Sequence, residues 1–320
     1  MKKFLALILT LALTLTALVS CSLYKPDDVK IKIGVMNGPT GMGIAKLIED
    51  YGMDSDKYEF KIFSSPEIAT AAFLNGEIDF ACVPTNVAAN LANKKADFLS
   101  VAAINTLGSL YVITKEGVEI NSVADLNGKN IYYGVKTSTT EPILNHIFTK
   151  NNISVNYNVE IDHDAVVAKM VKGEIDIAVL PEPKATVAIL NAKQQGQAYS
   201  VKLNVSEEWD KISSTELPMG CIIVRNDFIK DHERASMEFL KEYKASIDYI
   251  GNLENKDASA NMIVNASILP KVPVAQSSLK NLDGAIVYIE GESMKTALVA
   301  FYDAIGLKRP ADSFYYIASK

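Results

Sequence analysis

Three polar residues stand at the ends of two similar phrases. Thr85 and Asn86 follow Gly76-Glu77-Ile78-Asp79-Phe80-Ala81-Cys82-Val83-Pro84. Glu182 lies inside Gly173-Glu174-Ile175-Asp176-Ile177-Ala178-Val179-Leu180-Pro181-Glu182-Pro183. A Thr hydroxyl and an Asn amide make directional, neutral hydrogen bonds. A carboxylate pairs with an ammonium or with the N–H edge of an aminopyrimidine. The prolines on either side hold Glu182 extended and remove competing N–H donors. Desolvated, that carboxylate would repel a sulfonate or nitrate. Two arguments run the other way: helix N-termini alone can hold an anion, and Lys136 and Lys184 could reach one. Glu182 could also do no more than cap the helix that follows it.

Other chemistry has little support. A hydrolase needs a nucleophile beside a base and an orienting acid. His146, His163 and His232 are scattered, and no Gly-x-Ser-x-Gly occurs. There is no His-x-x-x-His or Cys-x-x-Cys spacing for a metal. An enzyme is therefore not expected, and neither a cofactor nor a metal is implied. His163 begins a helix, where facing solvent is favoured over touching a ligand. Trp209, in Glu207-Glu208-Trp209-Asp210, is expected to pack on the protein rather than stack on a ligand ring.

Each phrase reads as a glycine stop after a helix, a short apolar strand, and a proline turn. Strands apolar on both faces belong to buried, parallel sheets. The phrases lie roughly one small domain apart, about 100 residues. They predict two similar α/β lobes that bring Thr85, Asn86 and Glu182 face to face. Strand, loop and helix alternate around them. Lys30 to Val35 is a strand, followed by the glycine-dense loop Met36 to Gly43 and a helix. Tyr58 to Phe63 is a strand, and Ser65 fits the N-cap of the next helix with Pro66 in its first turn. Asn130 to Gly134 and Asn158 to Ile161 repeat the plan, with Asp162-His163-Asp164 as a helix start. After Gly220 to Arg225 comes a long helix, then helices near Glu254 to Asn265 and Glu292 to Ile305. That helical tail is expected to return to the first lobe.

The chain has 320 residues, 48% apolar and 22% charged, with a formal charge of −6. This is ordinary globular composition, long enough for two domains. An acidic chain without basic, aromatic-rich patches does not suit nucleic acid. Met1-Lys2-Lys3 and the uncharged run Phe4 to Ser20 read as a signal peptide, too short to span a bilayer. Leu18-Val19-Ser20-Cys21 resembles the lipobox of bacterial lipoproteins, so the mature chain would begin at a lipidated Cys21. Cys82 and Cys221 sit in apolar strands. An exported protein could pair them, but two buried thiols are favoured.

The chain as a whole resembles an extracytoplasmic solute-binding protein of an ABC importer with the type II periplasmic-binding-protein fold. The branch it resembles binds aliphatic sulfonates, taurine, nitrate or thiamine pyrimidines. The lipobox carries the likeness, together with Ile33 to Gly43, Gly76 to Ala81, Ala124 to Lys129, Leu180 to Pro183 and Cys221 to Phe228. The run Gly38 to Gly43 with Asn105 to Gly108 resembles a subgroup whose ligand the motif does not fix. The likeness implies an α/β fold of two lobes, each a mostly parallel sheet flanked by helices. Its divisions would be a signal peptide (1–20), a lipidated tether (21–28), lobe one (29–113), lobe two (114–217) and a return to lobe one (218–320). It implies ligand contacts from the loops after strands: Asn37, Thr40, Met42, Ser64, Ser65, Thr85, Asn86, Asn105, Thr106, Thr137, Ser138 and Glu182. About half of these are expected to be caps rather than contacts. The partners implied are a small solute, a permease and an ATPase, and the membrane through the anchor, with the protein itself a monomer. An amine or N-heterocycle, first of all thiamine or its pyrimidine, is the expected ligand and a sulfonate the second. Two alternatives share the fold: a membrane-coupled ligand sensor, and a pyrimidine-synthase-like enzyme. The latter would need an iron site and a cysteine-rich motif, and the motif is missing.

Overall fold

The computed structural model describes residues 29–136 and 138–317. The expected leader (1–20), the tether with Cys21 (21–28) and the site candidate Thr137 lie outside the described residues.

The first stretch runs β1 (Ile31–Met36), α1 (Pro39–Met42), α2 (Ala45–Tyr51), β2 (Tyr58–Phe63), α3 (Pro66–Leu74), β3 (Phe80–Pro84), α4 (Thr85–Lys94) and β4 (Leu99–Leu107). The second runs β5 (Leu110–Lys115), β6 (Asn130–Gly134), α5 (Thr140–Lys150), β7 (Asn156–Glu160), α6 (His163–Val171), β8 (Ile177–Pro181), α7 (Lys184–Gln194), β9 (Tyr199–Asn204) and α8 (Val205–Asp210). The third runs β10 (Pro218–Arg225), α9 (Asn226–Asp231), α10 (Glu233–Gly251), α11 (Lys256–Asn265), α12 (Val272–Asn281), β11 (Ile286–Ile289) and α13 (Gly291–Ala304).

Two sheets result, ordered β11-β4-β10-β3-β1-β2 and β7-β6-β8-β5-β9. Both are built on one plan. β3 lies between β1 and β10, as β8 lies between β6 and β5. The two Gly-Glu-Ile-Asp phrases thus feed equivalent strands. Gly76 and Gly173 each follow the end of a helix at φ of 73° and 70°, the left-handed conformation that closes a helix without a Cβ penalty. Each sheet is parallel on the β1–β3 or β6–β8 side. Each turns antiparallel where β10 or β5 joins it. Those two strands follow the crossings between lobes, so they enter against the direction of the βα units.

Helix α10 buries Phe239, Leu240, Tyr243, Ile247 and Ile250, one stripe at helical spacing. Each such side chain contributes about 1.5–3 kcal/mol of burial. They pack with Ile33, Val35 and Phe80 on one face of the first sheet. A second cluster runs from Ala81, Val83 and Val101 through Trp209 and Phe301 to Ile131 and Tyr133, so apolar packing is continuous between the lobes. α12 and the four-residue β11 were not anticipated in the tail. β11 meets β4 through a register irregularity and is too short to show a period of two.

Cys82 and Cys221 are free, buried thiols. In the β3–β10 ladder Ile222 opposes Cys82 and Val83 opposes Cys221. Neighbouring ladder positions face opposite sides of a sheet, and the two cysteines lie in different clusters.

Candidate functional site

The carboxyl ends of β1, β2 and β3 and those of β6, β7 and β8 border one cleft of about 660 Å3. Both sheets line it, because in open α/β sheets the loops after parallel strands share one edge. The lobes approach closely at its rim: a Cβ on Gly38 would stand 3.6 Å from Cδ of Pro183. Gly38 itself has φ 98°, and Gly41 has no room for a side chain, since a Cβ there would meet Met36 O at 2.0 Å. The glycines of this loop let α1 fold back against the end of β1.

Of the expected contacts, Asn37, Thr40, Ser64, Ser65, Asn86, Thr106, Ser138 and Glu182 line the cleft. Three do not. Met42 is wholly buried in the first lobe's core. Thr85 is buried and donates its hydroxyl to Pro218 O at 2.9 Å. Asn105 is spent inside the protein, its amide donating to Thr40 O at 3.1 Å and to Tyr243 Oη at 3.0 Å. It supports the wall from behind: Thr106 Oγ1 donates to Asn105 Oδ1 at 3.1 Å. Ser65 is both wall and cap, since its hydroxyl accepts from Ile68 N.

Glu182 differs most from the expectation of a free carboxylate. It is 2% exposed. Its oxygens accept from Thr186 Oγ1 at 3.0 Å, Ser278 Oγ at 3.1 Å and Asn281 Nδ2 at 2.6 Å. The carboxylate therefore caps α7 and also ties it to α12. The peptide bond from Glu182 to Pro183 is cis.

Sequence reasoning did not put forward other wall residues as contacts, Glu67, Ser109, Val135, Asp162 and Met219, and it favoured solvent over ligand for His163, which also lines the wall. Asp162, Glu67 and His163 follow the same strand-end rule as those named. Met219 lies within β10, a strand that opens no βα unit, and carries no such signal. Val135 has φ 65°, costly for a β-branched residue, and its carbonyl accepts from Ser138 N at 2.9 Å.

His163 is the first residue of α6, after Asp162, whose carboxylate caps that helix at Ala165 N. Its Nδ1 is shut off from solvent without a hydrogen-bond partner among the described residues. Burial, reinforced by the Lys184 ammonium, holds the imidazole below the usual histidine range. Lys184 pairs with Asp164. Lys136 and Lys184 are both absent from the described wall, which carries Glu67, Asp162 and Glu182 but no Lys or Arg. Trp209 lies elsewhere, fully buried between His146 and Phe301. No group of three or more His, Cys, Asp or Glu among the described residues could hold a metal ion. No helix among them is long and apolar enough to cross a membrane. The arrangement can enclose a small polar molecule between two lobes and meet it chiefly with acceptors and hydroxyls.

No curated protein matches the chain. A family model described as NMT1/THI5 like matches residues 63–253. Among solved structures, an ABC transporter from Parabacteroides distasonis has TM-score 0.75 at 18% identity, covering 91% of this chain and 100% of that one. The periplasmic aliphatic sulphonate binding protein SsuA of Escherichia coli has TM-score 0.68 at 17% identity, covering 92% and 94%. The periplasmic nitrate-binding protein NrtA of Synechocystis has TM-score 0.58 at 13% identity, covering 85% and 76%. At these identities the likeness is one of fold, and it agrees with the two-lobed α/β architecture.

Proposed function

The chain belongs to the NMT1/THI5-like family, and from that premise we propose that it is the extracytoplasmic receptor of an ABC importer. It captures a small solute between two closing lobes, with boundaries near 114 and 217, and hands it to a permease driven by an ATPase. It acts by binding and not by catalysis. The anchor is the lipidated Cys21, and the working unit is a monomer.

The solute carries an amine or N-heterocycle, with thiamine or its pyrimidine first. One observation carries this: the described cleft wall holds the Glu67 carboxylate, an imidazole nitrogen without a partner among the described residues, and no Lys or Arg, while Asp162 and Glu182 add negative charge although their oxygens are already hydrogen-bonded. A wall of acceptors complements a ligand rich in N–H donors. The volume of about 660 Å3 suits a small molecule. The contacts are Asn37, Thr40, Ser64, Ser65, Asn86, Thr106 and Ser138, and Thr137 from outside the described residues.

A second reading, an anion such as a sulfonate or nitrate, draws on the N-termini of α3, α5 and α6, whose first residues border the cleft. Two of the structural neighbours, the sulphonate-binding SsuA and the nitrate-binding NrtA, also point that way. Native mass spectrometry of protein purified without denaturation, followed by release and identification of the ligand, tests the choice. A nitrogenous heterocycle or amine is expected; a sulfonate or nitrate would reverse it.

A further inference from the structure

We propose that His163 Nδ1 is the second lobe's ligand-reading atom, a neutral acceptor for an N–H of the solute. The proposal rests on the receptor reading above and deepens it.

Its first ground is geometric. His163 stands on the cleft wall at the carboxyl edge of the second sheet. Its backbone is fixed there: a Cβ on Gly134 would meet His163 N at 2.5 Å, so the end of β6 presses directly on the start of α6. Asp162 locks the same turn by capping it. The imidazole is thus carried on a rigid helix start rather than on a loose loop.

The second ground is an unmet demand. Nδ1 is buried and has no partner among the described residues, whereas buried polar atoms in folded proteins are almost always paired. Asp162 is committed to Ala165 N and Asp164 to Lys184, so the nearest carboxylates are engaged elsewhere. The His163 ring borders the cleft, and a donor that arrives there meets that demand once the imidazole turns Nδ1 toward it.

Burial and Lys184 favour the neutral ring, and two aspartates oppose them. The charged groups that act on it are Asp162 and Asp164 at the start of its own helix and Lys184 on α7; the Glu160–Lys169 pair joins β7 to α6. Glu67 and Glu182 lie elsewhere on the cleft wall. Burial outweighs the two neighbouring aspartates, and Lys184 adds to it. A neutral imidazole accepts at one nitrogen. An imidazolium has no acceptor and would repel a cationic solute. Ligand affinity should therefore fall as pH drops through the imidazole's range, the sign opposite to that of an imidazolium gripping an anion.

The test is calorimetric titration of the full chain with thiamine and with its hydroxymethyl-aminopyrimidine, roughly at pH 7.5 and at pH 5. Wild type, His163→Phe and His163→Asn are compared, with thermal melts to show that each is folded. His163→Phe should lose at least about 10-fold in affinity near neutral pH, with a melt no lower than wild type. His163→Asn puts an amide near the position of Nδ1 and should recover most of that loss. Wild type should weaken more at low pH than either variant, which cancels any titration of the ligand itself. Unchanged affinity in His163→Phe, or tighter wild-type binding at low pH, overturns the assignment while the receptor reading stands. No binding of either heterocycle by wild type overturns the receptor's ligand class, and this inference with it.

Discussion

Asn281 Nδ2 stands 2.6 Å from Glu182 Oε1, joining the last residue of α12 to the turn between β8 and α7. Ser278 adds a second bond to the same carboxylate, and Tyr111 Oη donates to Asn281 O. α12 packs with the first lobe through Ala275 and Leu279. Glu182 follows the second sheet. The pair is a polar clasp between the lobes, on a residue that also borders the cleft.

Breaking the clasp should cost stability. Asn281→Ala leaves a buried carboxylate short of its shortest donor, which should cost about 1–3 kcal/mol in urea unfolding. Glu182→Gln turns an amide N–H₂ toward hydroxyl and amide donors and should cost a similar amount. Asn281 is outside the described cleft wall but holds Glu182 on it, so a change in ligand affinity in Asn281→Ala reports a shift in lobe closure or in the placement of Glu182. A variant with wild-type stability would contradict the clasp.

Ser65 separates capping from contact. Losing the cap in Ser65→Ala should cost about 1 kcal/mol, and Ser65→Gly only a few tenths. If Ser65 also touches ligand, both variants weaken binding alike. Denaturant unfolding and titration calorimetry read the two effects independently.

Val135 is strained at φ 65°, and the left-handed region costs a non-glycine residue about 1–2 kcal/mol. Val135→Gly removes that cost, and the melting temperature should hold or rise, where most substitutions lower it. Looser positioning of Ser138 should weaken ligand binding in the same variant. A lowered melt with unchanged binding would deny the strain a functional role.

The ligand-free protein should lose stability on acidification through two histidines. Burial holds His146 and His163 below their usual range. The unfolded chain therefore binds more protons than the native one between the lowered values and about 6.5, and stability rises with pH across that window. Thermal melts of the double variant His146→Gln, His163→Phe should show a shallower slope there than wild type.

Much of this molecule was legible in its residues. Gly76 and Gly173 marked two helix ends, and the apolar strands after them were buried as read. Ser65 and Asp162 cap the helices they were expected to begin. The strand-end rule brought Asn37, Ser64, Asn86 and Ser138 to one cleft. It failed at Thr85 and Asn105 because their own neighbours in three dimensions, Pro218 O and Tyr243 Oη, claim their polar atoms. Glu182 was singled out, yet its donors Ser278 and Asn281 come from a helix with no signal linking it to the second lobe. His163 was read toward solvent because a helix-start histidine gives no hint of an unpaired Nδ1.

The charge of the captured solute is the central claim, and calorimetric titration of wild type against thiamine, its pyrimidine, taurine, an alkanesulfonate and nitrate tests it most directly. A nitrogenous heterocycle should bind and, at 100 times its Kd, add about 2.7 kcal/mol to stability, while the anions give no heat. Binding of the sulfonates or nitrate alone would contradict the account.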